Sequence, residues 1–154
     1  MRGESATKKS IVERVALIVP GFNETQLGLD ALYYHCDRLG YCAQEGHLRK
    51  LHGCSFYDSE GPCLVVNSLI SPAERAIAGW HEFAHLTFDM KDARVFFSHG
   101  RFFSRRKIER KAQMVGVLAW MPDGECWGFT VPELIERYDV PRGVAEFRVS
   151  LMIP

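Results

Sequence analysis

The chain has 154 residues, 47% of them hydrophobic and 25% charged, which fits one globular domain with room for a real core. Nineteen Lys and Arg balance nineteen Asp and Glu, so no overall field argues for nucleic acid or an anionic membrane surface. No apolar run approaches the roughly 18 residues of a membrane span, and Glu13 and Arg14 interrupt the early apolar stretch that a signal peptide needs.

The five cysteines (Cys36, Cys42, Cys54, Cys63, Cys126) are odd in number and contain no C-x-x-C, which reads as reduced thiols in a cytoplasmic protein. Residues 1–10 are polar and basic and are expected to be frayed, with a single domain over 11–154. Ile11 to Val19 forms a short helix or strand that Pro20-Gly21 ends. Asn23 or Thr25 then opens a helix that closes near Gly40, with Leu27, Leu32, Cys36 and Leu39 inward. Tyr41 to Leu48, Lys50 to Tyr57 and Pro62 to Asn67 read as three strands, the last two joined by the turn Asp58-Ser59-Glu60-Gly61.

Ser71-Pro72-Ala73-Glu74 is a capping box with proline in the first helical turn, and it opens a helix running to about Phe88. Inside that helix His81-Glu82-Phe83-Ala84-His85 reads H-E-x-x-H. Residues four apart fall about 40° apart on a helix, so both imidazoles point the same way and can hold one metal ion. Glu82 stands one step round, where its carboxylate can reach a water at that ion.

Asp89 to Phe103 holds Val95, Phe96, Phe97, Phe102 and Phe103, too many apolar groups for a free linker, and reads as a packed loop or lid. His99 within it is a candidate donor to the oxyanion of an attacked carbonyl, with Tyr33, Tyr34 and Tyr57 as rivals. Ser104 can cap a second helix from about Arg105 to Met121, which Pro122 stops. Its apolar stripe is Ile108, Ala112, Val115 and Leu118–Ala119, and Glu109 stands beside that stripe. Gly116 in mid-helix costs about 1 kcal/mol relative to alanine and points to close approach of another backbone, the first helix being the natural candidate. A catalytic zinc site takes three protein ligands and keeps one open position, which makes Glu109 the candidate third ligand and Gln113, one turn on, the residue that orients a ligand by hydrogen bond. Arg101, Arg105, Arg106, Lys107, Arg110 and Lys111 form a basic cluster at this helix start, a solvated face or a patch for an acidic partner or a phosphate backbone.

Residues 122–154 form a C-terminal helical subdomain, in which Gly124 to Phe129 reads as a loop or short strand. Thr130-Val131-Pro132-Glu133 is a second capping box opening a helix to Tyr138, and Val140-Pro141 begins another with Val144, Phe147, Arg148 and Leu151 spaced for packing. Two short helices about a tight turn also resemble a helix-turn-helix, though only scattered basic residues would face outward.

The strings Val65-Val66-Asn67, Trp80-His81-Glu82-Phe83-Ala84-His85-Leu86, Ile108-Glu109-Arg110-Lys111-Ala112-Gln113 and Leu118-Ala119-Trp120-Met121-Pro122 together resemble the ImmA/IrrE family of zinc metallopeptidases. The resemblance covers roughly Leu27 to Pro122. It implies a gluzincin-like fold with zinc on His81, His85 and Glu109, Glu82 as the base, and the Val65–Asn67 strand bordering the cleft, where its backbone would pair with an extended substrate. It also suggests a transcriptional repressor as protein substrate or partner. Ala84 stands where the family has glycine, Gln113 where it has aspartate or asparagine, and Lys111 where it has a second glutamate.

The expected fold is α+β: a small three-stranded sheet packed on helices, with the H-E-x-x-H helix and a second, Glu-bearing helix forming a zinc cleft. The expected function is that of a zinc-dependent metallo-endopeptidase. Two other classes fit the same sequence: a zinc-containing module that binds a partner without cutting it, and a DNA-binding regulator built on the C-terminal helices.

Overall fold

The computed structural model describes the backbone of residues 2–89 and 102–152, and the side chains of 8–89 and 107–152. Its elements, in order, are α1 (Arg2–Ile18), α2 (Leu29–Leu39), β1 (Cys42–Gly46), β2 (Gly53–Asp58), β3 (Gly61–Asn67), α3 (Pro72–Ala84), α4 (Phe102–Trp120), a short α5 (Asp123–Cys126), α6 (Val131–Tyr138) and α7 (Arg142–Ser150). The fold is α+β, a three-stranded mixed sheet packed against helices. No helix among the described residues is long and apolar enough to cross a membrane.

Of each capping box the N-cap half forms, without the return bond from the glutamate side chain to the N-cap backbone. Ser71 Oγ accepts from the Glu74 backbone N–H at 3.2 Å, and Thr130 Oγ1 accepts from Glu133 at 3.4 Å, so each satisfies an N–H that the first helical turn leaves without a partner. Gly40, at φ 77°, closes α2 in the left-handed conformation that glycine adopts without a Cβ clash.

Four boundaries differ from the sequence reading. The helix at the N-terminus begins at Arg2, not Ile11. Lys8 shows what holds it: its ammonium pairs with Asp123 at 2.7 Å and donates to the Leu151 carbonyl at 2.9 Å, anchoring α1 to the C-terminal elements. The stretch from Asn23 stays irregular until Leu29, because Asn23 sits at φ 67° and its side chain is engaged with Asp123. Ser104 lies inside α4, which starts at Phe102, so it does not cap that helix. The stretch after Pro122 opens with the helical turn α5 rather than a strand.

The sheet order is β1-β3-β2. β3 runs parallel to β1, with Cys42 opposite Cys63, and antiparallel to β2, with Gly53 opposite Val66. This corrects one expectation of the resemblance. The Val65–Asn67 strand is the middle of the sheet, hydrogen-bonded on both sides, and has no free edge for a peptide. The free edges belong to β1 and β2.

The core gathers Val15 of α1, Leu32 of α2, Leu64 and Val66 of β3, Trp80 and Phe83 of α3 and Val115 and Leu118 of α4, all fully buried. Trp80 places its polar tip as well as its bulk, donating to the Leu27 carbonyl at 3.0 Å. Arg148 of α7 is buried completely, donates to the Met121 carbonyl at 2.7 Å and pairs with Asp123. It therefore ties the last helix to the end of α4 instead of facing outward.

α3 packs most extensively against α4, and Gly116 sets the distance between them. A Cβ there would come within 2.6 Å of the Ile77 carbonyl oxygen, a backbone atom with no rotamer to escape into. Gly116→Ala gains up to about 1 kcal/mol of helix propensity but forces the two helices apart, which costs roughly 1–3 kcal/mol. The clash is expected to win. Chemical denaturation should show a net loss of stability, and equal or greater stability would mean that the helices are not held in contact at this point.

Candidate metal centre

Three side chains from two helices converge. His81 is in the last turn of α3, and His85 opens the π-helical turn His85–Asp89 that continues it. Glu109 reaches across from α4. The His81 and His85 Nε2 atoms are 3.1 Å apart, Glu109 Oε2 is 3.1 Å from His81 Nε2, and Glu109 Oε1 is 3.1 Å from His85 Nε2. All the potential ligand atoms lie within 4.8 Å of one another, so the group can hold a metal ion.

The donor set fits zinc. Ligand atoms about 2.0–2.1 Å from a tetrahedral centre sit about 3.3 Å from each other, close to the spacing here. Two imidazole nitrogens and one carboxylate make three protein ligands, the number that leaves one position open. Exposure is graded across the cluster: the His85 side chain is 7% exposed, His81 20% and Glu109 38%. The open side is therefore next to His81 and Glu109.

Burial alone disfavours a charged His85, but hydrogen bonds to Asp89 and Glu109 and the nearby Glu82 charge outweigh it and push the imidazolium up to about 9. Hydrogen bonds from His81 and His85, joined by their charge, hold the Glu109 carboxyl well below the usual range against the opposing effect of burial. An ion entering the cluster would displace the His85 proton.

Asp89 was not legible as a site residue in the sequence. Its carboxylate lies 3.1 Å from His85 Nδ1. A carboxylate accepts, so Nδ1 carries the proton and Nε2 is directed at the cluster. The spacing of four residues from His85 was the available signal. Gln113, expected to orient a ligand, is exposed on the wall of the adjoining cavity, which His81 also lines. Asp89→Asn is expected to weaken zinc binding about 10–100-fold while leaving the fold intact. Competition against a chromophoric chelator reads this directly, and an unchanged affinity would deny Asp89 its orienting role.

Glu82 points into a cavity of about 550 Å³ whose wall also includes His81. Ser55 Oγ of β2 donates to Glu82 Oε2 at 2.6 Å and fixes the carboxylate beside the edge strand. The fit is close: a Cβ at Gly53 would meet Glu82 Cγ at 3.1 Å. No feature of the sequence pairs Ser55 with Glu82, because the contact depends on how the sheet lies against α3.

His99 lies outside the described residues, as does most of the aromatic segment read as a lid. Tyr33 donates to Glu45 at 3.0 Å, and neither it nor Tyr34 nor Tyr57 lines the cavity. In the basic cluster, Arg110 lies over the Phe147 ring at 5.6 Å. All five cysteines are free thiols.

No protein-family model matches the chain, and a search of curated proteins returns no match.

Proposed function

We propose that this protein is a zinc-dependent endopeptidase, with His81, His85 and Glu109 as the ligands and Glu82 as the general base. The observation that carries the reading is the convergence of two imidazoles from an H-E-x-x-H helix with a carboxylate from a second helix, next to a glutamate that faces a cavity. Bound zinc supplies Lewis acidity, making water easier to deprotonate and a carbonyl easier to attack.

The chain's own residues provide the rest. Glu82 takes the proton from the attacking water and returns it to the departing amine. Ser55 holds one oxygen of that carboxylate and leaves the other for the proton transfer. Asp89 keeps the His85 ring turned to the ion. β2, a sheet edge beside Glu82, can align an extended peptide by backbone hydrogen bonds, the role that the central β3 cannot take.

The likeness of the metal motifs to the ImmA/IrrE metallopeptidases supports a repressor as the protein substrate in the cytoplasm. The inward setting of Arg148 and of the cavity-lining Val144 and Phe147 leaves α7 poorly suited to read DNA. The deciding experiment incubates the purified protein with a candidate transcriptional repressor, with and without a chelator, and follows both by mass spectrometry. Chelator-sensitive fragments support the peptidase. Chelator-sensitive association without fragments would replace it with a zinc-containing binding module.

A further inference from the structure

The cavity beside Glu82 extends along α3 away from the histidines, and the hydrolytic chemistry uses only one end of it. We propose that this cavity is the subsite for a basic residue of the substrate, arginine or lysine, with Glu74 as its counter-ion. The assignment rests on the peptidase reading above and adds a substrate class to it.

Glu74 and Glu82 both line the cavity and stand eight residues apart on α3, which is about 12 Å along the helix axis. Between them the α3 wall is Ile77 and Ala78, and the opposite wall is Val117 of α4 with Val144 and Phe147 of α7. The space is thus largely apolar between its two carboxylates, with His52, His81 and Gln113 as the other polar groups of its lining. Of the two carboxylates, Glu82 faces the reacting bond. The other has no assigned task. Among the described residues, the Glu74 side chain makes no hydrogen bond or ion pair, and its neighbour Arg75 is directed to Glu45 at 3.8 Å. No lysine or arginine is among the described residues that line the cavity.

Charge and shape then select the occupant. An acidic side chain would face two carboxylates of its own sign. A purely apolar one would cover the channel walls but strip water from Glu74 without replacing it. An arginine or lysine lays its methylene stem along Ile77, Ala78 and Val117 and delivers its cation to Glu74.

The test separates this subsite from hydrolysis. Two acetylated, amidated alanine pentapeptides, one with a central arginine and one with the neutral isostere citrulline there, are titrated calorimetrically into the full-length zinc-loaded protein. The same samples are analysed by mass spectrometry for fragments. The arginine peptide should bind on the order of tenfold more tightly. Glu74→Gln, which keeps the capping box because the Ser71 bond uses the Glu74 backbone N–H, should abolish that difference. Equal affinity for the two peptides, no measurable binding of either, or a preference that survives Glu74→Gln would each overturn the subsite. Discrimination without fragments would sustain the subsite and count against the peptidase reading, whereas fragments without discrimination would do the reverse.

Discussion

Glu82→Gln is expected to retain zinc at the wild-type level and to lose about 10²–10⁴-fold of the hydrolytic rate, the usual contribution of a positioned acid–base group. The substitution keeps the side chain's size and its contact with Ser55, since that hydroxyl can donate to an amide oxygen as it does to Glu82 Oε2. It leaves the ligands untouched, because Glu82 lies beside the cluster and not in it. What it removes is the basic oxygen that, in the proposed mechanism, accepts a proton from water. Metal content by elemental analysis and cleavage of the repressor by mass spectrometry are therefore read on the same sample. Full cleavage in the variant would show that Glu82 is not the base. Loss of both zinc and cleavage would show that it belongs to the metal cluster.

Local signals carried a large part of this fold and site, and tertiary contacts decided the rest. The H-E-x-x-H spacing needs only helical geometry, and Ser71 with Pro72 starts that helix where a local rule puts it. Gly116 announced a close helix pair because a glycine in mid-helix is costly unless something replaces its side chain, and Ile77 is what does so. Glu109 followed from that pairing. Ser55 and the central position of β3 had no such signal. Both depend on which strand lies next to which, and although the apolar run Cys63–Val66 marks β3 as buried, local rules do not say which strands flank it. The early start of α1 was hidden for a related reason. Its first residues are polar, and Lys8 finds its partners at Asp123 and Leu151, more than a hundred positions away.

Glu109→Ala is expected to reduce bound zinc from about one ion per chain to less than about a tenth under the same purification, because two imidazoles alone neither complete nor neutralise the site. The carboxylate contributes in two ways here. It lies 3.1 Å from each histidine nitrogen, so it bridges the pair, and it brings the only negative charge in the group of three. Its loss leaves two nitrogens 3.1 Å apart, and the Asp89 carboxylate, committed to the far side of the His85 ring, does not take its place. Thermal unfolding provides an independent reading. Zinc at a thousandfold excess over its Kd stabilises the wild-type protein by about 4 kcal/mol, and a variant that binds weakly gains almost none of this. The zinc-dependent rise in Tm should therefore disappear in Glu109→Ala, whose metal-free form should unfold a little below the metal-free wild type because the contacts of Glu109 with both histidines are lost. A preserved rise would place the third ligand elsewhere. A collapse of the metal-free variant would instead show that Glu109 holds α3 and α4 together through its histidine contacts, and that metal binding is a consequence of that packing.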